Sequence, residues 1–270
     1  MKLDGGVERT NELGILRRGN FLDLGFCIVV FELVAQIDFG GVGAHSGLQL
    51  QAQAHVLHFE TAIENAVLAF SGALPEGARV LDAGAGEGQY KGRFSRFRYT
   101  GVDLGVGDNA WNYGSLDAVS DLSALPFADA SFDACINIVT LEHLKEPLAA
   151  LREMGRVLKP GGKLLLIAPH EWEVHQAPHD YFRYTRHGLE HLLSQSGFDR
   201  LDIQPVGGYF RLLSRRLFNG LQFFPGLLAI PAALLLVPPA LLLPVFDGMD
   251  REKNFTLGYI CFAARQSVSS

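Results

Sequence analysis

Three glycines at alternate positions, Gly84, Gly86 and Gly88, follow a short apolar run in the stretch Val80-Leu81-Asp82-Ala83-Gly84-Ala85-Gly86-Glu87-Gly88-Gln89-Tyr90. Residues without a Cβ let a chain turn sharply from strand to helix and let its amides approach a bound nucleotide closely. A tight turn that holds no ligand is the plain alternative. The dinucleotide pattern G-x-G-x-x-G/A is not met, because Gln89 stands three residues after Gly86, so a pyrophosphate is disfavoured. Asp103 closes Thr100-Gly101-Val102-Asp103, about twenty residues beyond the turn, where a carboxylate can accept from both ribose hydroxyls. A solvated acid at a strand end is the competing reading. Further on, Asp121 lies just before Leu122 and the run Leu125-Pro126-Phe127, placed to meet an adenine amino group while Leu122 packs on the ring.

A second concentration of reactive side chains lies in Pro169-His170-Glu171-Trp172-Glu173-Val174-His175-Gln176-Ala177-Pro178-His179-Asp180-Tyr181-Phe182-Arg183-Tyr184-Thr185. Histidines this dense, with acids beside them, raise the question of zinc. Pro178 forbids a regular helical turn from His175 to His179 and no cysteine joins them, so the expectation is that no metal is bound.

Elements of alternating period must position these groups. Val56, Phe59, Ile63, Ala66, Val67 and Phe70 recur at helical spacing over His55 to Leu74, ahead of the turn Pro75-Glu76-Gly77. The runs Val80-Leu81, Tyr99 to Val102, Ala134 to Val139 and Leu164 to Ala168 read as buried parallel strands. Between the last two, Leu148, Leu151, Met154, Val157 and Leu158 share one face of a helix over Glu146 to Leu158, stopped by Pro160-Gly161-Gly162. Strand and helix in alternation imply right-handed βαβ units and a doubly wound α/β sheet, whose ligands bind beyond the carboxyl ends of its strands. Lys91, Arg93, Arg96 and Arg98 interleave with Phe94, Phe97 and Tyr99, a pattern seen where RNA bases stack. The spacing i, i+4, i+7 of Tyr90, Phe94 and Phe97 instead predicts the buried stripe of a helix after the glycine turn.

Composition narrows the classes. In 270 residues, 48% are hydrophobic and 19% charged, which excludes disorder and collagen-like repeats. Lys and Arg number 23 against 29 Asp and Glu, and the resulting charge of −6 repels phosphate backbones, so nucleic acid is not expected as a partner. Cys27, Cys135 and Cys261 are far apart in apolar runs, forming neither a disulfide framework nor a zinc set, and they predict a reducing, cytoplasmic compartment.

The ordered recurrence of Val80 to Gly88, Val102-Asp103, Asp121 with Leu125-Pro126-Phe127, Ser131-Phe132-Asp133, Leu141-Glu142-His143-Leu144 and Arg156-Val157-Leu158-Lys159-Pro160-Gly161-Gly162 resembles the class I S-adenosylmethionine-dependent methyltransferases of the type 11 group, over about residues 55–210. That resemblance implies a Rossmann-like seven-stranded sheet with an antiparallel last strand and S-adenosyl-L-methionine as cofactor. It further implies that Asp82, Gly84, Gly86 and Gly88 hold the methionine part, Asp103 the ribose, and Asp121 with Leu122 the adenine. Methyl transfer to oxygen or nitrogen benefits from a base on the transfer line, and a histidine suits this at neutral pH. His143, just after the fourth strand at the same sheet edge, is the first candidate; the competing reading is a helix-start histidine satisfied by Glu142 or by backbone. Runs like that from Trp172 to Thr185 close over cofactor and acceptor in similar chains, which nominates His175, His179, Asp180, Tyr181 and Arg183 as a group. A non-catalytic adaptor with the same fold and a nicotinamide-dependent oxidoreductase are the rival functions.

Two segments fall outside that scheme. From Leu217 to Phe246 thirty residues pass without Asp, Glu, Lys, Arg or His, enough on paper to cross a bilayer that needs about 20. Pro225, Pro231, Pro238, Pro239 and Pro244 divide the run, so no unbroken spanning helix is expected. Leu201 to Pro205 and Phe255 to Ala263 resemble the last two strands of the sheet and must lie on one side of any membrane. The expectation is therefore a broken hairpin within residues 211–254 that dips into the inner face of the membrane, with Arg211, Arg215 and Arg216 toward anionic head groups and a small-molecule or lipid-linked acceptor. A hydrophobic lid or a dimer surface is the alternative, and residues 255–270 supply the final core strand and tail. Residues 1–54 are read as an extension of unclear structure or the product of a misplaced start codon. Arg17-Arg18 faintly resembles an export signal, but Asp23 and Glu32 spoil its apolar core.

Overall fold

The structure, a computed structural model, describes residues 57–107 and 111–267. The chain divides into two compact units, one of residues 57–212 with 246–270 and one that includes residues 213–245. The expectations for residues 1–54, the Cys27 environment and Val56 lie outside the described residues.

The larger unit is built on a seven-stranded sheet. Its strands are β1 (Arg79–Ala83), β2 (Arg98–Asp103), β3 (Ala118–Val119), β4 (Phe132–Ile138), β5 (Leu158–Pro169), β6 (Phe198–Val206) and β7 (Gly258–Arg265), in the order β3-β2-β1-β4-β5-β7-β6. β7 runs antiparallel to both neighbours, β5 and β6, while the other pairings are parallel. Alternate residues of the central strands feed two cores. Leu81, Cys135, Leu164 and Leu166 pack with Leu151 and Met154 of α2 (Pro147–Val157) and Leu189 and Leu193 of α3 (Arg186–Gln195). Val80, Ala134, Ile136, Leu165 and Ile167 pack with Phe59, Ile63, Val67 and Phe70 of α1 (His58–Gly72). Burial on both faces is why these strands read as unbroken apolar runs.

The helix expected after the glycine turn does not form. Only nine residues separate Gly88 from β2, Gly92 lies among them, and the bonds Lys91 N to Gly88 O and Arg93 N to Tyr90 O close three-residue turns, so Lys91–Phe94 is a short 3₁₀ helix. Tyr90, Phe94 and Phe97 are nonetheless buried in the second core, as their spacing implied. The basic residues beside them are engaged: Lys91 donates to Ser115 O, Arg96 to Ser71 O, and Arg93 pairs with Glu64. Pro160-Gly161-Gly162 does not stop α2 by itself; the helix ends at Val157 and these residues open β5.

Helix α4 (Tyr209–Gly220) begins where β6 ends. Asp247 Oδ1 accepts from the amides of Gly208 and Arg211, and Asp250 Oδ2 accepts from that of Tyr209, satisfying the first-turn donors. The Arg211 guanidinium lies 3.3 Å from Asp247 Oδ2, so an acid of the chain itself partners it.

In the smaller unit, Phe218, Leu221, Ala232, Val237 and Ala240 form an apolar cluster joining the end of α4 to α5 (Ala229–Leu242), and Ser214 donates to Ala240 O. The prolines do not divide this region as expected. Pro231 falls in the first turn of α5, where no donor is needed, while Pro238 and Pro239 are taken into the helix. With flanking 3₁₀ turns the helical run Gly226–Met249 reaches 24 residues at mean hydropathy 2.3, long and apolar enough to cross a bilayer.

Candidate functional site

The carboxyl ends of β1 and β2 are tied together by the glycine turn. Gly84 and Ala85 both donate to Val102 O, and the Asp103 carboxylate accepts from Gly86 N at 3.0 Å and from Gly105 N at 2.8 Å. Gly84, Gly86 and Gly88 all take positive φ, from 53 to 95°, which side chains resist. At Gly84 a Cβ would also stand 2.3 Å from the Thr140 methyl. The Ser120 amide donates to Asp103 O, bringing the next segment to the same edge. Asp121 is exposed there, its carboxylate taking the Ser123 amide and hydroxyl at 2.8 Å each. Leu122 has only 3% of its surface exposed and packs in the core, so in this conformation it has no free face for an adenine ring.

Asp82 lies beneath the turn, fully buried, and accepts from the Tyr99 hydroxyl at 2.6 Å. Burial pushes its carboxyl up to about 7 against the Tyr99 hydrogen bond, and the nearby Asp103 adds to the rise. The loop after β2 folds back over the glycines. Glu87 Oε1 accepts from Asn112 N, Ser115 donates to Glu87 O, Tyr113 Oη accepts from Gly107 N, and the Trp111 ring stands 3.6 Å from where a Gly86 Cβ would be. Sequence reasoning passed over Trp111, Tyr113 and Ser115; an aromatic pair in the loop following Asp103 was the available signal.

The other half of the site begins at the end of β4. Val139 takes φ of 50°, a strained value for a β-branched residue, and Thr140 donates to Gly84 O and Ile138 O. A 3₁₀ turn, Leu141–His143, follows. The loop from His170 to Tyr184 is laid over this turn, with Tyr181 N and Phe182 N donating to Glu142 O and the Tyr184 hydroxyl to Leu141 O. His143 Nδ1 lies 2.5 Å from His179 O. Its Nε2 is buried without a partner, 3.7 Å from Glu142 Oε1, so Glu142 does not satisfy it by hydrogen bonding. His175 turns its Nε2 to within 3.9 Å of the same oxygen, and its Nδ1 lies 3.1 Å from Glu173 O. The two imidazoles meet edge to face at 4.7 Å.

Charge in this cluster is held by a second layer. Arg183 binds Asp180 with two bonds of 2.6 and 2.8 Å and donates to the Trp172 and Glu173 carbonyls, and Asp180 accepts from His175 N. Burial would raise the Asp180 carboxyl, but Arg183 and the His175 amide hold it down at about 2. Glu142 is fully buried, neither of its oxygens meets a donor on another described residue, and burial drives its carboxyl up to about 8. Burial also lowers His143, favouring the neutral imidazole. Of the residues nominated from sequence, His143, His175, Asp180 and Arg183 come together. The side chains of His179 and Tyr181 lie outward, His179 Nδ1 being 3.2 Å from the exposed Tyr181 hydroxyl. Glu142, read only as a possible partner of His143, is the missed member.

Comparison with known proteins agrees with this architecture. A family described as a methyltransferase domain matches residues 81–166. Among curated relatives, the chain is similar to the demethylmenaquinone methyltransferase of Renibacterium salmoninarum, at 41% identity over 35% of this chain and 42% of that protein. It is similar to the malonyl-[acyl-carrier protein] O-methyltransferase of Erwinia pyrifoliae, at 36% identity over 32% and 36%. It is also similar to the tRNA (carboxymethyluridine(34)-5-O)-methyltransferase of Macaca fascicularis, at 35% identity over 37% and 16%. The chain thus spans less than half the length of each of these relatives. A Haloferax volcanii methyltransferase solved with its activator protein shares the fold, with a TM-score of 0.51 at 18% identity over 89% of this chain and 97% of that one.

Proposed function

From the membership of residues 81–166 in the class I S-adenosylmethionine-dependent methyltransferases of the type 11 group, we propose that this chain transfers a methyl group from S-adenosyl-L-methionine to a small-molecule or lipid-linked acceptor. The observation that carries the reading is the Asp103 carboxylate, which takes the Gly86 amide on one oxygen and faces the glycine turn from the end of the neighbouring strand. The residues fit the cofactor: an acid for the ribose stands beside a turn whose three positive-φ glycines carry no Cβ at the ends of the strands. Bound there, S-adenosyl-L-methionine supplies a methyl group on a sulfonium that is already a good leaving group.

The chain then has to align the acceptor, exclude water and manage a proton. Thr140 links the two halves, bonded to Gly84 O and two residues from Glu142. His143 is oriented by its Nδ1 contact with the His179 carbonyl, which leaves Nε2 to take the acceptor's proton. His175, held by Asp180 and Arg183, stands beside it, and the loop from His170 to Tyr184 walls the site. Calorimetry with S-adenosylhomocysteine tests the assignment. The expected result is binding by the intact chain, a loss of at least about tenfold in Asp103→Ala, and unaltered binding with lowered turnover in His143→Ala. No heat with either S-adenosylmethionine or its demethylated product overturns it.

The apolar unit supports a second element of the reading, contact with the inner face of a membrane and hence cytoplasmic placement. Leu227, Ile230, Leu234 and Leu235 are each at least 60% exposed in a segment without charge. A single crossing would part strands that pair, since β6 and β7 flank the segment and are hydrogen-bonded to each other. An interfacial helical hairpin avoids that conflict. Flotation with anionic vesicles is expected to carry the full chain and to leave a variant lacking residues 221–246 at the bottom; equal distribution of the two removes the membrane role.

A further inference from the structure

In the turn after β4, three buried polar atoms have no hydrogen-bond partner among the described residues: both carboxylate oxygens of Glu142 and Nε2 of His143. Unpaired groups of this kind are costly and call for a partner, whether water or an ion. One donor atom from each of Glu142, His143 and His175 lies within 4.8 Å of the other two, and both imidazole Nε2 atoms approach Glu142 Oε1, at 3.7 and 3.9 Å. Those separations are too long for hydrogen bonds and lie close to the spacing of ligands around a cation with bonds of about 2.0–2.2 Å. We propose that Glu142, His143 and His175 form a binding site for a divalent transition metal of the zinc class.

The surroundings match what such a site requires. Each histidine has its Nδ1 against an oxygen, His143 on the His179 carbonyl and His175 on the Glu173 carbonyl with Asp180 at 3.5 Å. At His143 that arrangement favours the tautomer with a free Nε2, as in metal-ligating imidazoles generally, while His175 Nδ1 also has the Arg183 Nη2 at 3.4 Å. Asp180 is itself clamped by Arg183, so the second layer is bonded as well. Two imidazoles and one carboxylate leave a fourth position open to water or to a substrate oxygen, and their hardness suits zinc, cobalt or iron(II) over calcium or magnesium. The sequence pointed away from metal because only ligands within the loop from His170 to Asp180 were weighed; the fold instead brings His175 to residues 33 and 32 positions earlier, Glu142 and His143. With a metal in place, the cluster would lower the pKa of a coordinated acceptor hydroxyl so that its proton passes to water, in place of proton capture at His143.

The test uses the full chain stripped with a chelator and titrated with Co(II), then with Zn(II) in competition. The expected result is one Co(II) per chain with the intense visible bands of a low-coordinate site, displaced by Zn(II). His175→Gln and Glu142→Gln should each weaken binding by about 100-fold or more. His187→Gln, exposed on α3, should leave it unchanged. Absence of the visible bands, or equal affinity in His175→Gln with the fold intact by circular dichroism, overturns the proposal and assigns the space to water. S-adenosylhomocysteine binding measured on the same metal-free preparation separates this outcome from failure of the methyltransferase reading, because neither measurement requires the other.

Discussion

Replacing Asp82 by Asn isolates the cost of an acid buried beneath the glycine turn. Among the described residues its carboxyl has the Tyr99 hydroxyl as hydrogen-bond donor, with Asp103 on β2, the Cys135 thiol on β4 and the Tyr90 hydroxyl as further titratable neighbours. Burial lifts it from 3.8 to about 7. A carboxyl raised in the folded state binds its proton more tightly than in the unfolded chain. Its favourable contribution is therefore complete below about pH 4 and is lost as pH climbs to about 7, beyond which no more is lost. At about 1.4 kcal/mol per unit, a rise of roughly three units amounts to about 4 kcal/mol. Asn is neutral at every pH and keeps an oxygen for Tyr99. The stability of Asp82→Asn relative to the parent, from urea unfolding at half-unit steps between pH 4 and 9, should be level below pH 4, climb with pH, and flatten above pH 7. The total climb should be about 4 kcal/mol. Taking the difference cancels carboxylates common to both chains. A difference curve that stays flat within about 1 kcal/mol across that range refutes the idea that Asp82 is a desolvated acid.

Trp111 stands 3.6 Å from the Cβ position of Gly86, so S-adenosylhomocysteine binding should change the intrinsic fluorescence; the change should vanish in Trp111→Phe and persist in Trp172→Phe. Gly84→Ala forces a side chain to φ of 95° and into the Thr140 methyl, and should cost at least about 2 kcal/mol in urea unfolding together with cofactor binding. Arg183→Ala leaves the Asp180 carboxylate, whose side chain is 2% exposed, without its counter-ion, and should lower stability by about 3 kcal/mol at pH 7. That loss should shrink as pH falls toward 2, where Asp180 takes up its proton in the parent as well. Equal unfolding midpoints for parent and variant at pH 7 contradict the clamp.

What could be read from the sequence divides by the range of the interaction involved. β1, β4 and the second half of β5 are buried on both faces, so burial alone wrote them into the chain as apolar runs. β3 has two residues, one of them exposed, and leaves no such trace. The glycines and Asp103 were legible because a sharp turn and a strand-end acid are local demands on residue type. The helix expected over Tyr90 to Phe97 failed because a buried stripe at helical spacing also fits a 3₁₀ turn, and periodicity does not register how few residues remain before the next strand. Pro238 and Pro239 misled in the opposite direction: the helical cost of proline was counted, whereas the apolar cluster around Val237 and Ala240 that holds the helix is tertiary. The acceptor side was least accessible. That Glu142 turns inward and meets His175 follows from the loop docking through the Glu142 carbonyl and from the Asp180–Arg183 clamp, neither of which leaves a mark in local spacing. A glutamate beside a histidine reads as a helix-start pair that satisfies itself; only the fold shows both carboxylate oxygens and the histidine Nε2 shut away from solvent and unbonded among the described residues.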